Sequence, residues 1–182
     1  MKFKALIASA TAALMTACGS VDVDQYAKET PKLELSSFFT GTIDAWGIFQ
    51  KRNGEVARRF HVEILTNWTS PSEGTLDERF TYADGEKQRR VWTLKRQADG
   101  TWQGTADDVV GVATGRVSGN ALHWTYVLRL PVDGKEYLVN FDDWMWQMDE
   151  SSMMNRSTMS KFGIDLGEVT LFFRKRMPGS PS

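Results

Sequence analysis

Four ionisable residues, Arg58, Glu78, Arg90 and Asp143, stand at positions where the surrounding chain alternates apolar with polar and an apolar residue is due. An unpaired ion on such a face costs several kcal/mol even after relaxation, so each needs a partner or water. One reading is structural, a salt bridge between Glu78 and Arg90. The other is a receptor, with Arg58 and Arg90 offering their planar forks to a carboxylate or phosphate head group. Catalytic chemistry has less to draw on. His61 and His123 are the only histidines and fall on the polar parity, which leaves a zinc site short of ligands. Within a strand Asp107-Asp108 and Asp142-Asp143 would point to opposite faces, so neither doublet converges on one atom. Ser157 has no base at motif spacing, and no phosphate-cradling glycine loop opens a helix. The expectation is a protein without catalytic residues, metal or cofactor.

The single cysteine, Cys18, follows a leader with Lys2 and Lys4, an apolar run from Ala5 to Leu14, and Met15-Thr16-Ala17. Small residues before a lone cysteine are the signature of a bacterial lipoprotein signal, cleaved so that Cys18 becomes the lipidated first residue. A leftover thiol after an ordinary secretory leader is the alternative, but it would lack a partner in an oxidising compartment. The run is shorter than the roughly 20 residues that span a bilayer, so the expected attachment is by acyl chains. Gly19, where an aspartate would signal inner-membrane retention, favours the outer membrane facing the periplasm.

The remainder is one domain's length, and a net charge of -1 offers no basic field for nucleic acid. Residues 1–17 are expected to be the signal, 18–37 a lipidated polar tether, 38–176 the folded domain, and 177–182 a disordered tail. Within the domain the pattern is period two, broken by Asn53-Gly54, Asp84-Gly85, Asp99-Gly100, Gly119-Asn120 and Asp133-Gly134. Two-residue loops then fix the register. Phe60 should face Gly47, Val62 Ala45, and Ile64 Ile43. Trp124 should face Gly115, Tyr126 Ala113, and Leu128 Gly111. Across the next hairpin Leu128 meets Val139, Tyr126 meets Phe141, and Trp124 meets Asp143. A three-residue loop at Asp84-Gly85 would put Glu78 diagonal to Arg90.

Large rings opposite small residues are the filling pattern of a tapered barrel. The expected fold is therefore all-β, an up-and-down antiparallel barrel of about 8–10 strands, with a two-sheet sandwich as the alternative. Arg59, Glu63, Asp77, Arg79, Arg89 and Lys95 on the outer parity argue against lipid around the wall. Inside, Phe60, Phe80, Trp92, Trp102, Trp124, Tyr126 and Phe141 would either fill a core or line a pocket for an apolar guest.

Several segments together resemble the bacterial envelope-lipoprotein family known as domain of unknown function 3833. They are Ala45-Trp46-Gly47, Arg58-Arg59-Phe60, Asp108 to Ala113, Gly119 to Trp124, Asp142 to Met145, Asn155-Arg156 and Lys161-Phe162-Gly163. The resemblance implies a lipocalin-like barrel without an assigned activity, and it supports an apolar ligand such as a fatty acid. Asp142, Trp144 and Trp146, expected on the outside, are with Asn155 and Arg156 candidates for a strand lock or a partner patch. The alternative function is a filled module that docks an envelope protein through Trp144, Trp146 or the basic end Arg174-Lys175-Arg176.

Overall fold

In the computed structural model, which describes residues 21–132 and 134–176, the alternating segments form ten antiparallel strands. They are β1 (Thr42–Lys51), β2 (Val56–Ser70), β3 (Glu73–Tyr82), β4 (Lys87–Arg96), β5 (Trp102–Thr105), β6 (Ala113–Ser118), β7 (Ala121–Val132), β8 (Lys135–Gln147), β9 (Ser152–Lys161) and β10 (Ile164–Lys175). Each strand pairs with its sequence neighbours, and β1 pairs with β10, so the sheet closes as an up-and-down barrel. Closure leaves no edge strand to be capped. The proposed signal, Cys18, Asp133 and the 177–182 tail lie outside the described residues.

The register follows the turns. Gly47 faces Phe60, Ala45 faces Val62, and Ile43 faces Ile64. The route differs from a two-residue loop: Lys51 NH bonds Glu55 O, and a bulge near Phe49 and Gln50 restores the pairing. Gly115 faces Trp124, and Asp143 faces Trp124 from the other side. Leu128, however, meets Val109 through an isolated bridge instead of Gly111. The ladder ends near Ala113, and Gly111 turns the chain at φ 71°. The segment between β5 and β6 thus closes the wall with two backbone bonds, Val110 NH to Val127 O and Arg129 NH to Asp108 O. At the β3–β4 turn the loop has three residues as expected, but Glu78 lies directly opposite Arg90, not diagonal to it.

Glycine makes room for the interior rings. A Cβ at Gly104 would sit 2.6 Å from Trp124 Cζ2, and one at Gly115 would collide with the same ring. Trp124 therefore lies flat across two neighbouring strands because both lack side chains there.

Residues 21–41 are not a free spacer. A 3-10 turn (Val23–Tyr26) lies against β6 and β8, with Arg116 paired to Asp24 at 2.7 Å and Tyr26 packed on Trp144 and Trp146. A short helix α1 (Leu35–Phe38) then enters one end of the barrel. Leu33, Leu35, Phe38 and Phe39 are at most 3 % exposed, and Trp68 donates its ring NH to Phe39 O at 2.6 Å. Burying each of these four apolar side chains is worth about 1.5–3 kcal/mol over exposure, far more than a solvated tether would supply. The expected tether boundary at residue 37 therefore moves: the folded body already includes Val23.

On the outer wall Arg176 pairs with Asp44 at 2.6 Å and Glu63 at 3.1 Å, and Asp77 pairs with Arg89 at 2.7 Å. Arg176, in hydrogen-bond contact, holds the Asp44 carboxyl below its usual range. Hydrocarbon around this wall would leave those ions without water, as the outward parity indicates.

A hollow barrel with a polar pole as candidate functional site

Inside the barrel is a cavity of about 350 Å³. Its floor is set by the N-terminal plug, with Leu35, Phe39, Leu122 and Phe173 lining it. At the other end Pro131 and Val132 also line it, and Val132 is 48 % exposed, so the cavity reaches the surface between the hairpins. The β9–β10 turn lies at this same end. It holds Phe162 at 89 % exposure and φ 52°, an apolar ring on a left-handed turn, next to exposed Ile164.

Two aromatic clusters form the walls. Near the mouth Phe60 lies 5.9 Å from Phe80 and 5.5 Å from Tyr82, and Arg58 covers the Tyr82 ring at 3.6 Å. Deeper, Trp92 meets Trp124 at 5.9 Å and Tyr126 at 5.4 Å, while Tyr126 stacks on Phe141 at 5.0 Å. Six of the seven rings expected to face inward line the cavity. Trp102 does not. It is buried in the closed end, edge-on to Trp68 at 5.9 Å, where it helps seat the plug.

Arg58, Glu78, Arg90 and Asp143 all line the cavity as well. The two arginines are already held. Arg90 forms a bidentate pair with Asp108 at 2.8–3.0 Å and lies 3.7 Å from Glu78. Arg58 pairs with Glu86 at 2.8 Å and Asp84 at 3.1 Å. Each guanidinium thus faces two carboxylates: Asp108 takes the fork of Arg90 through Nε and Nη2, while Arg58 is held through Nη2 alone. Burial pushes Glu78 up to about 7 against the pull of Arg90. It also pushes Asp143 up to about 7 although Asn155 donates to it, with Glu78 adding to the rise.

Across from the arginines the lumen has a second polar patch. Asp143 on β8 stands beside Ser157 on β9, and Asn155 bridges Asp143 to the backbone oxygen of Trp144 at 3.0 Å. Asn155 is thus 2 % exposed and faces inward, where it can tie β9 to β8 but cannot belong to a surface patch. The reason is the β8–β9 register, which pairs Asn155 with Met145 and puts Arg156 beside outward Trp144. Arg156 instead pairs with Glu168 on the outer wall. Trp144 and Trp146 do face out, but His123 stacks on Trp144 at 4.2 Å and Tyr26 lies over both. The basic end is also engaged, Arg176 by Asp44 and Lys175 by Ser37 O at 2.8 Å.

Asp142 turns outward to His123 at 3.0 Å while Asp143 turns in, as the doublet rule required. His61 likewise bonds Asp44 at 2.9 Å on the outside. No group of three or more potential metal ligands occurs among the described residues. Sequence reasoning missed Tyr82, Asn155 and Ser157 as lining residues; inward parity on β3 and β9 was the available signal. The plug residues Leu35 and Phe39 carried no periodic signal at all.

No curated protein matches the sequence. Among solved structures, a de novo designed fluorescence-activating β-barrel aligns with TM-score 0.42 and 12 % identity over 79 % of this chain and 99 % of its own. Lobster apocrustacyanin A1 aligns with TM-score 0.41 and 12 % identity over 88 % of this chain and 72 % of its own. A family model described as a protein of unknown function, DUF3833, matches residues 12–175. The chain therefore belongs to the DUF3833 family.

Proposed function

We propose that this protein is a lipid-anchored component of the bacterial envelope, held by acyl chains on Cys18 at the outer membrane, whose barrel binds or carries a hydrophobic small molecule of lipid type. The observation that supports the carrier reading is the hollow: about 350 Å³ lined by Phe60, Phe80, Trp92, Trp124, Tyr126 and Phe141. A volume above roughly 300 Å³ with few polar groups is characteristic of ligand pockets, whereas a filled barrel keeps no void beyond a water or two. The exposed apolar residues beside the mouth give a guest leaving a lipid phase an apolar path. Docking a protein through Trp144, Trp146 or the basic end is less favoured, since Tyr26, Asp44 and Ser37 already engage those groups.

Native mass spectrometry tests both parts. The membrane-extracted protein should carry acyl chains on Cys18, and Cys18→Ser should leave the membrane fraction. The Cys18→Ser chain should show a copurifying or saturable one-to-one lipid adduct. An unacylated Cys18 would remove the anchor, and a chain that never takes up an apolar molecule would remove the carrier.

A further inference from the structure

The lumen's charges are unevenly distributed. Arg58 and Arg90 each face two carboxylates, and Asp143 adds a further acid whose only side-chain donor among the described residues is Asn155. Next to it, the Ser157 hydroxyl is buried and has no hydrogen-bond partner, on a residue 3 % exposed. The Tyr126 ring is packed between Trp92 and Phe141 nearby. All three side chains line the cavity. Ser157 is the direct cross-strand partner of Asp143, so a buried hydroxyl without a partner lies beside an acid short of donors, and protein interiors rarely leave such groups unpaired.

Resting on the carrier reading, we propose that the lumen selects a guest whose apolar body ends in a hydrogen-bond donor, a hydroxyl or a protonated amine, and that Asp143, Ser157 and Tyr126 receive that end. The chemistry is complementary. A hydroxyl donates to the free oxygen of Asp143 and accepts from Ser157 or Tyr126. An ammonium supplies the cation Asp143 lacks. A carboxylate or phosphate would be brought beside Asp143 and Glu78 with the fork of Arg90 already taken by Asp108, so like-charge repulsion and lost pairing oppose it. This places the selectivity of the pocket opposite to the anion-binding role that the two arginines suggest in sequence.

The guest's size follows from the hollow, which holds about a dozen heavy atoms at roughly 30 Å³ each. Decan-1-ol, decylamine and decanoic acid fit that space and differ only at the head. The test titrates each against the neutral fluorescent dye acenaphthene, itself of about a dozen heavy atoms, bound to the Cys18→Ser full-length chain at pH 8. The alcohol and the amine should displace the dye at concentrations about tenfold or more below the acid, the size expected when a charge-assisted hydrogen bond is gained. In Asp143→Asn, with the dye affinity of that variant as its own reference, the preference for amine over acid should fall by about tenfold. Ser157→Ala serves if Asp143→Asn does not fold, and should weaken the alcohol selectively. An acid that displaces the dye as well as the alcohol, an amine-to-acid ratio unmoved in Asp143→Asn, or an alcohol affinity unmoved in Ser157→Ala overturns the selectivity while the carrier reading stands. Failure of the wild-type chain to bind dye and all three compounds overturns both.

Discussion

Arg90→Leu is expected to lower the unfolding free energy by about 3–5 kcal/mol, the cost of removing one member of a buried ionic cluster. Arg90 keeps 11 % of its side-chain surface open and Glu78 16 %, with Asp108 bonded to the guanidinium through both oxygens. Without Arg90, Asp108 and Glu78 lose their shared cation. Arg90→Lys should recover only part of the loss, because an ammonium lacks the fork that holds Asp108. Adding Glu78→Gln and Asp108→Asn to Arg90→Leu should recover most of it, because no uncompensated ion then remains. Urea denaturation of the four proteins at pH 8 checks this ordering. A single Arg90→Leu variant as stable as wild type would mean that the cluster is solvated, and the polar pole would no longer be buried.

Stability should also fall as pH rises from about 5 to 8, and by a few kcal/mol. Burial holds Glu78 and Asp143 near 7, well above their usual values near 4. Between those limits the folded chain keeps protons that the unfolded chain has released, so the stabilisation is complete below the unfolded values and is lost as pH passes through 7. The groups that set this for Asp143 are Asn155, Glu78, Asp142 and Arg90. Asp44 and Asp77 titrate in the opposite sense, since their arginine partners hold them low, and they act only below about pH 4. Asp143→Asn keeps an acceptor for Asn155 and should flatten the slope. Thermal melts at pH 5, 6.5 and 8 measure it; a higher melting temperature at pH 8 than at pH 5 would contradict the buried acids.

Much of the barrel was legible because hairpins carry their own register. Gly119-Asn120 alone puts Trp124 on Gly115, and the Asp133-Gly134 turn puts Asp143 opposite the same ring. The hairpins could not report what lies outside them. The plug, Leu33 to Phe39, has no partner strand and no period, so its burial depends on contacts with Trp68 and the floor that only the closed fold creates. Arg90 shows the same limit in charge. Parity placed it inside, yet its principal partner, Asp108, comes from an irregular segment whose reach no alternation rule describes. The side on which Asn155 falls could not be counted from the sequence, because the β8–β9 connection has no two-residue turn to fix the register.

The central claim is that the barrel is hollow and hosts an apolar guest, and filling the hollow tests it most directly. Val169 on β10 lines the cavity between Phe49 and Ser157, and Val169→Trp would put an indole into the space a guest needs. Titrating acenaphthene into both Cys18→Ser chains should give saturable one-to-one binding to the parent and at least roughly 100-fold weaker binding to the filled variant, about 2.7 kcal/mol, with the melting temperature retained. Equal dye affinity in the two, at equal stability, would place the dye outside the lumen and contradict the account.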